Sequence, residues 1–276
     1  MIYLKSAEEI RIIKEGGRRL SLILSSLVAA LKPGLSTDYL EDLANRLIEK
    51  EGGRSAFKDY PMGGDLFFPS TLCVSINNEV VHGSSLPARI IKSGDIVDLD
   101  IGMEWPVREK ERQEFNAPLN TLSKYGGFFT DMCRTIGVGK ISASARKLLQ
   151  VTQECLDLGI AAARPGHKIN DIARAVETHA EKNGYGVVRD LVGHGVGYLA
   201  HEKPDVFNFV IKETAAENII LRPGMVIAIE PMINAGDWSV KMADNDYTVL
   251  TADDSLSAHF EHTVAISENG PQILTN

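Results

Sequence analysis

The run Ile96-Val97-Asp98-Leu99-Asp100-Ile101 sets two carboxylates into an otherwise apolar, β-branched stretch. Alternate residues of a strand share a face, so Asp98 and Asp100 project one way while Val97, Leu99 and Ile101 face the other. Burying an ionised carboxylate costs several kcal/mol unless it is paired or bound to a metal, so this strand demands a cation. A second stretch repeats the design. Ile220 to Glu230 follows the order of Ile90 to Asp100: an apolar pair, a basic turn ending in Gly, then a strand. Asp100 and Glu230 occupy the same place in the two copies, 130 positions apart, and Asp131 and Glu261 keep the same offset.

Gly193-His194-Gly195-Val196-Gly197 lacks the glycine spacing of a dinucleotide loop. Its glycines instead let the backbone approach a ligand closely while the imidazole points at it. Asp100, Asp131, His194, Glu230 and Glu261 then form a carboxylate-rich set with one nitrogen donor, suited to two bridged divalent first-row ions. Structural zinc sites prefer Cys and His, and Cys73, Cys133 and Cys155 have no suitable spacing. Two ions about 3.5–4 Å apart generate a hydroxide near neutral pH and polarise a carbonyl, which is hydrolytic chemistry. His82 and His201, in loop contexts, suit donors to a substrate carbonyl or amine.

The elements that must position these residues also repeat. Pro33-Gly34 is answered by Pro165-Gly166, and Glu49-Lys50-Glu51-Gly52 by Glu181-Lys182-Asn183-Gly184, at an offset of 132. We read an internal duplication, with halves of about 1–140 and 141–276 packed about a pseudo-twofold axis on which equivalent carboxylates converge. Ser6 with Glu9 predicts a capping box and a helix to about Leu31. Further helices are expected from Ser36 or Thr37 to Lys50, from 143 to 163 and from 170 to 182. Leu72–Ile76 and Glu79–His82 read as a hairpin about Asn77-Asn78, and residues 57–69 as a loop at the surface or over a site. The charged run at 108–114 reads as a solvated connection between two strands. The expected class is α+β, a mostly antiparallel curved sheet with helices outside.

The 276 residues suit one catalytic domain. A net charge of −8 argues against a nucleic-acid-binding role, and 44% apolar with 24% charged residues is ordinary for a soluble protein. Three cysteines without a disulfide framework, and an N-terminus without a signal-peptide pattern, point to the cytoplasm. Leu20–Leu31 is too short to span a bilayer.

Cys73-Val74-Ser75-Ile76-Asn77-Asn78-Glu79-Val80-Val81-His82-Gly83, the Asp98-Leu99-Asp100 strand, Gly193 to Gly197 with His201-Glu202-Lys203-Pro204, Ile229-Glu230-Pro231-Met232, and Ser255 to Thr263 closely resemble type I methionine aminopeptidases along essentially the whole chain. The resemblance implies the pita-bread fold and removal of the initiator methionine from nascent polypeptides whose second residue is small. It implies two divalent ions, Mn, Fe, Co or Zn, held by Asp100, Asp131, His194, Glu230 and Glu261. Glu230 would also accept a proton from the attacking water, His201 would stabilise the oxyanion, and His82 would contact the scissile amide or the leaving amine. Cys73, Tyr60 and Tyr247 would belong to the methionine pocket, and Asp98 would stand behind the ligands. The chain departs from the family pattern in extra residues near 61–67, in a longer connection at 103–127, and in Tyr247 where Trp is typical. A transient ribosome contact, no membrane and a monomer are expected. The competing readings are an X-Pro aminopeptidase or prolidase, which normally carries an additional N-terminal domain, and a non-catalytic ribosome-binding homologue, which would have lost ligands.

Overall fold

Four long helices and a set of antiparallel strands carry the site. The computed structural model describes residues 1–107 and 126–276, so the charged run at 108–114 lies outside the described residues. Helix α1 spans Ala7–Ala30, and its start is the expected capping box: the Glu9 N–H donates to Ser6 Oγ while the Ser6 N–H donates to the Glu9 carboxylate at 2.7 Å. Helix α2 spans Thr37–Lys50, α3 Ala143–Ala162 and α4 Ile169–Lys182.

The strand Ile96–Trp105 shows why its two faces differ. Val97, Leu99 and Ile101 share one buried cluster with Leu20, Leu24 and Leu27 of α1 and Leu40 of α2. In the second half, Ile227 and Ile229 of the strand Val226–Ile229 pack with Leu148 and Val151 of α3 and Ile172 and Val176 of α4. Each such side chain, fully buried, contributes about 1.5–3 kcal/mol. The apolar face of each strand therefore takes the helices, which leaves the carboxylate face turned inward.

Matching backbone hydrogen bonds recur in the two parts of the chain. The Gly34 N–H donates to Ile91 O at 2.8 Å, and the Gly166 N–H donates to Leu221 O at 2.9 Å. Ile91 N–H to Leu35 O recurs as Leu221 N–H to His167 O, and Thr37 N–H to Arg89 O as Ile169 N–H to Ile219 O. Gly34 and Gly166 hold φ of 84° and 86°, a left-handed conformation that glycine adopts without steric cost. The two copies touch where Asp131 and Glu261 lie. The Asp131 N–H donates to Thr263 Oγ1 at 2.9 Å, that hydroxyl donates to Asp131 O at 2.8 Å, and the Glu261 N–H donates to Cys133 O at 3.3 Å.

Every named strand pairing is antiparallel, as expected, and the described strands form five hydrogen-bonded groups. Ile96–Trp105 pairs along its whole length with Phe128–Gly137, so the long connection joins neighbouring strands as expected. Its other edge takes Leu72–Ile76, with Cys73 opposite Asp100. In the second half, Gly193–Gly195 and His262–Ser267 flank Val226–Ile229.

The expected hairpin at Asn77-Asn78 turns but does not form a two-stranded ladder. Glu79–Val81 pairs with Val249–Thr251, while Leu72–Ile76 pairs with Ile96–Trp105. The reason is local: the Glu79 carboxylate accepts the Ile76 N–H at 2.7 Å, and Asn77 binds Asp95 and the Ile96 N–H, so the turn's polar groups are used up away from the opposing strand. The extra residues near 61–67 form their own small hairpin, Pro61–Gly63 with Leu66–Phe67.

Candidate active site

All five residues of the carboxylate-and-histidine set converge on one cavity of about 320 Å³. Asp100 comes from Ile96–Trp105, Asp131 from Phe128–Gly137, and His194 from Gly193–Gly195. Glu230 directly follows the strand Val226–Ile229, and Glu261 sits between the strands Ser257–His259 and His262–Ser267. Ligand atoms of Asp131, His194 and Glu261 all lie within 4.8 Å of one another. Close approach of the backbone at His194 depends on its neighbour, because a Cβ on Gly193 would sit 2.4 Å from Ala228 O.

The carboxylates are poised for cations that the protein itself does not supply. Asp100 Oδ1, Asp131 Oδ1, Glu230 Oε1 and Glu261 Oε1 are buried without a hydrogen-bond partner. Leaving such oxygens unpaired is costly, so four of them around one space fit a metal centre. His194 fits as well. Its Nδ1 lies 2.9 Å from the Gly195 carbonyl, which only accepts, so Nδ1 carries the proton and Nε2 presents its lone pair, 3.3 Å from Glu230 Oε1. Burial, then the neighbouring Asp131, pushes the pKa of Asp100 well above the usual carboxylate range. Burial raises Asp131 to about 6, and burial followed by Asp131 raises Glu261. Divalent cations in their midst reverse that logic.

The histidines at the rim stay neutral. Desolvation by the surrounding protein, then the neighbouring His194 and His82, holds the His201 pKa well below its ordinary value, although the residue still opens to solvent. Its ring stands 4.2 Å from that of His194 and 4.9 Å from that of Tyr60. Burial likewise lowers His82, whose backbone is held at φ 59°, an unusual conformation for a residue with a Cβ. Thr248 Oγ1 donates to the His82 carbonyl at 3.0 Å and helps to fix that turn. Cys73, buried, lines the cavity; desolvation, then Asp100, pushes its thiol pKa well up.

Residues 11–107 and 119–268 match the sequence profile of metallopeptidase family M24. The chain belongs to that family. The methionine aminopeptidase of Clostridium perfringens is 41% identical over 276 residues, covering 100% of this chain and 99% of the relative. Methionine aminopeptidase 1 of Bacillus subtilis is 40% identical with the same coverage. The crystal structure of methionine aminopeptidase from Thermotoga maritima superposes with a TM-score of 0.86 at 35% identity, each chain fully covered. The prolidase of Pyrococcus horikoshii, at 21% identity and a TM-score of 0.72, shares the fold, covering 99% of this chain and 63% of its own. The M24 chain thus has the pita-bread architecture, is a peptidase, and uses divalent metal chemistry.

In this M24 peptidase Tyr60 lines the cavity together with Phe57, Met62 and Phe68, so the extra hairpin contributes Met62 to the wall. Tyr247 is not among the lining residues. It stands edge-on to Phe68, with centroids 5.5 Å apart, and supports that wall from behind. His259 is a buried lining residue to which the sequence assigned no role. Its only signal was the unpaired charge on Asp98, which the structure answers with His259 Nδ1 at 3.4 Å and the Thr135 hydroxyl at 3.2 Å. No helix among the described residues is long and apolar enough to cross a membrane.

Proposed function

We propose that this chain removes the N-terminal methionine from newly made polypeptides whose second residue is small, with two divalent ions of the Mn, Fe, Co or Zn group held by Asp100, Asp131, His194, Glu230 and Glu261. The single observation that carries this reading is the ring of unpaired buried carboxylate oxygens, drawn from both halves, beside a largely apolar cavity. When bound, the ions polarise the scissile carbonyl and acidify water.

The protein's own groups do the rest. Phe57, Tyr60, Met62, Phe68 and Cys73 enclose an unbranched thioether side chain, and the soft thiol suits that sulfur. Asp100, Asp131, His194, Glu230 and Glu261 would hold the ions, three of them, Asp131, His194 and Glu261, already offering ligand atoms within 4.8 Å of one another. Glu230 accepts a proton from the attacking water. His201, kept neutral, donates a hydrogen bond to the developing oxyanion, and His82 faces the scissile amide or the leaving amine. Residues 1–276 act as one catalytic unit in the cytoplasm, as a monomer that meets the ribosome transiently.

The test is hydrolysis of Met-Ala-Ser against Ala-Pro-Ala by metal-stripped protein reloaded separately with Mn, Fe, Co and Zn. Metal-dependent release of methionine from Met-Ala-Ser is the expected outcome. Preference for Ala-Pro-Ala would move the protein to the X-Pro class, and binding of ions without turnover would assign it a binding role.

A further inference from the structure

Behind Glu230 lies a histidine–aspartate pair that the proposed chemistry does not use. His259 ends the strand Ser257–His259 and is 2% exposed, and Asp98 lies across the interface between the halves on Ile96–Trp105. His259 Nδ1 faces Asp98 Oδ2 at 3.4 Å, and its Nε2 faces Glu230 Oε2 at 3.7 Å. That Nε2 is buried without a hydrogen-bond partner. The two Glu230 oxygens are thereby divided: Oε1 looks toward His194 Nε2, and Oε2 looks toward His259. Thr135 locks the pair from the other side. Its Oγ1 accepts the His259 N–H at 2.9 Å, lies 2.8 Å from the His259 carbonyl and reaches Asp98 Oδ1 at 3.2 Å.

We propose that His259, anchored by Asp98, is the residue that positions Glu230 for metal binding, its Nε2 facing Oε2 so that Oε1 stays turned to the metal side. The geometry gives each group one task. Asp98 orients the ring, and the ring faces Glu230. Removing either partner leaves the Glu230 carboxylate freer to rotate, because the imidazole that faces Oε2 at 3.7 Å is lost or loses its orientation. Groups that hold a ligating carboxylate or imidazole from behind typically change metal affinity or activity by about 10–100-fold when removed. His259 is a positioning residue, so its loss acts on kcat and on metal affinity while KM is spared.

This inference rests on the metallopeptidase reading, and its main readout is chosen to be separable from turnover. Mn2+ is titrated by calorimetry and by electron paramagnetic resonance into metal-stripped wild type, His259→Ala, His259→Gln, Asp98→Asn and the double variant, with kcat and KM for Met-Ala-Ser beside it. The expected result is a weakening of one Mn2+ site by about 10–100-fold in His259→Ala, a matching fall in kcat and an unchanged KM. His259→Gln, whose amide can present an N–H toward Oε2, recovers most of the loss, and the double variant is no worse than His259→Ala because the two residues act in series. Circular dichroism establishes folding; should His259→Ala not fold, the Gln and Asp98→Asn variants carry the test. Unchanged Mn2+ affinity in the folded variants overturns the proposal, as does a loss confined to KM. A third Mn2+ equivalent that vanishes in these variants also overturns it, since Asp98, Cys133 and His259 would then hold an ion of their own. If the wild type releases no methionine, the Mn2+ titration still decides.

Discussion

Replacing Lys5 by Met should cost this fold more than any surface charge, and should cost it activity as well. Lys5 Nζ meets Glu202 Oε2 at 2.5 Å with side-chain exposures of 1% and 0%. Glu202 Oε1 accepts the backbone N–H groups of Tyr198 and Leu199, at 2.5 and 2.9 Å, so this carboxylate pins the turn that leads into His201. Burial lowers the Lys5 pKa and Glu202 opposes that shift, as expected of a desolvated pair. Deleting one member of such a pair strands a buried charge and costs about 3–5 kcal/mol. At about 2–4 °C per kcal/mol for a chain near this size, the melting temperature should fall by about 6–20 °C. Lys203→Met is the control. Its pair with Asp205 is 61% exposed on the lysine side, so removal should cost no more than about 1 kcal/mol. Urea unfolding at saturating Mn2+ measures both, and methionine release from Met-Ala-Ser should show kcat falling in Lys5→Met as His201 loses its position. A Lys5→Met cost no larger than that of the Lys203 control would refute the reasoning.

Three further outcomes follow from the same geometry. The thermal shift produced by saturating Mn2+ should be larger at pH 7.5 than at pH 5.5. Folded, metal-free Asp131 holds its proton up to about 6, so its stabilising contribution is present at low pH and lost as pH rises through that value, and the ions must displace fewer protons at the higher pH; an equal or larger shift at pH 5.5 would contradict this. Gly193→Ala should abolish turnover while the protein still folds, because the added Cβ meets Ala228 O at 2.4 Å and displaces the strand bearing His194; retained activity in peptide assays would count against the close approach. Disulfide-exchange reagents at pH 8 should find no fast thiol before denaturation and three after it, since burial raises Cys73, Cys133 and Cys155, the last to about 12.

Much of the site was legible in the sequence because its carboxylates recur in a repeated pattern. Asp100 with Glu230, and Asp131 with Glu261, share an offset, and a symmetric fold must bring such pairs toward its axis. The α1 start was legible because a capping box is local, four residues long and chemically reciprocal. What escaped was long-range. Glu79–Val81 found its ladder partner at Val249–Thr251, where no local pattern points. The Asp98 strand declared that it needed a cation, but the pairing with His259 spans 161 positions and a histidine carries no signal of its partner. Tyr60 and Tyr247 differ for a similar reason: Tyr60 reaches the cavity wall while Tyr247 packs edge-on against Phe68, an arrangement set by tertiary contacts.

The claim at the centre of this account is that the two halves build one dinuclear metal centre. Anomalous diffraction at the manganese edge from crystals soaked in Mn2+ tests it most directly. The account predicts two peaks about 3.5–4 Å apart, both within coordination distance of the set formed by Asp100, Asp131, His194, Glu230 and Glu261. A single peak, or strong peaks at other side chains with this set left empty, would contradict it.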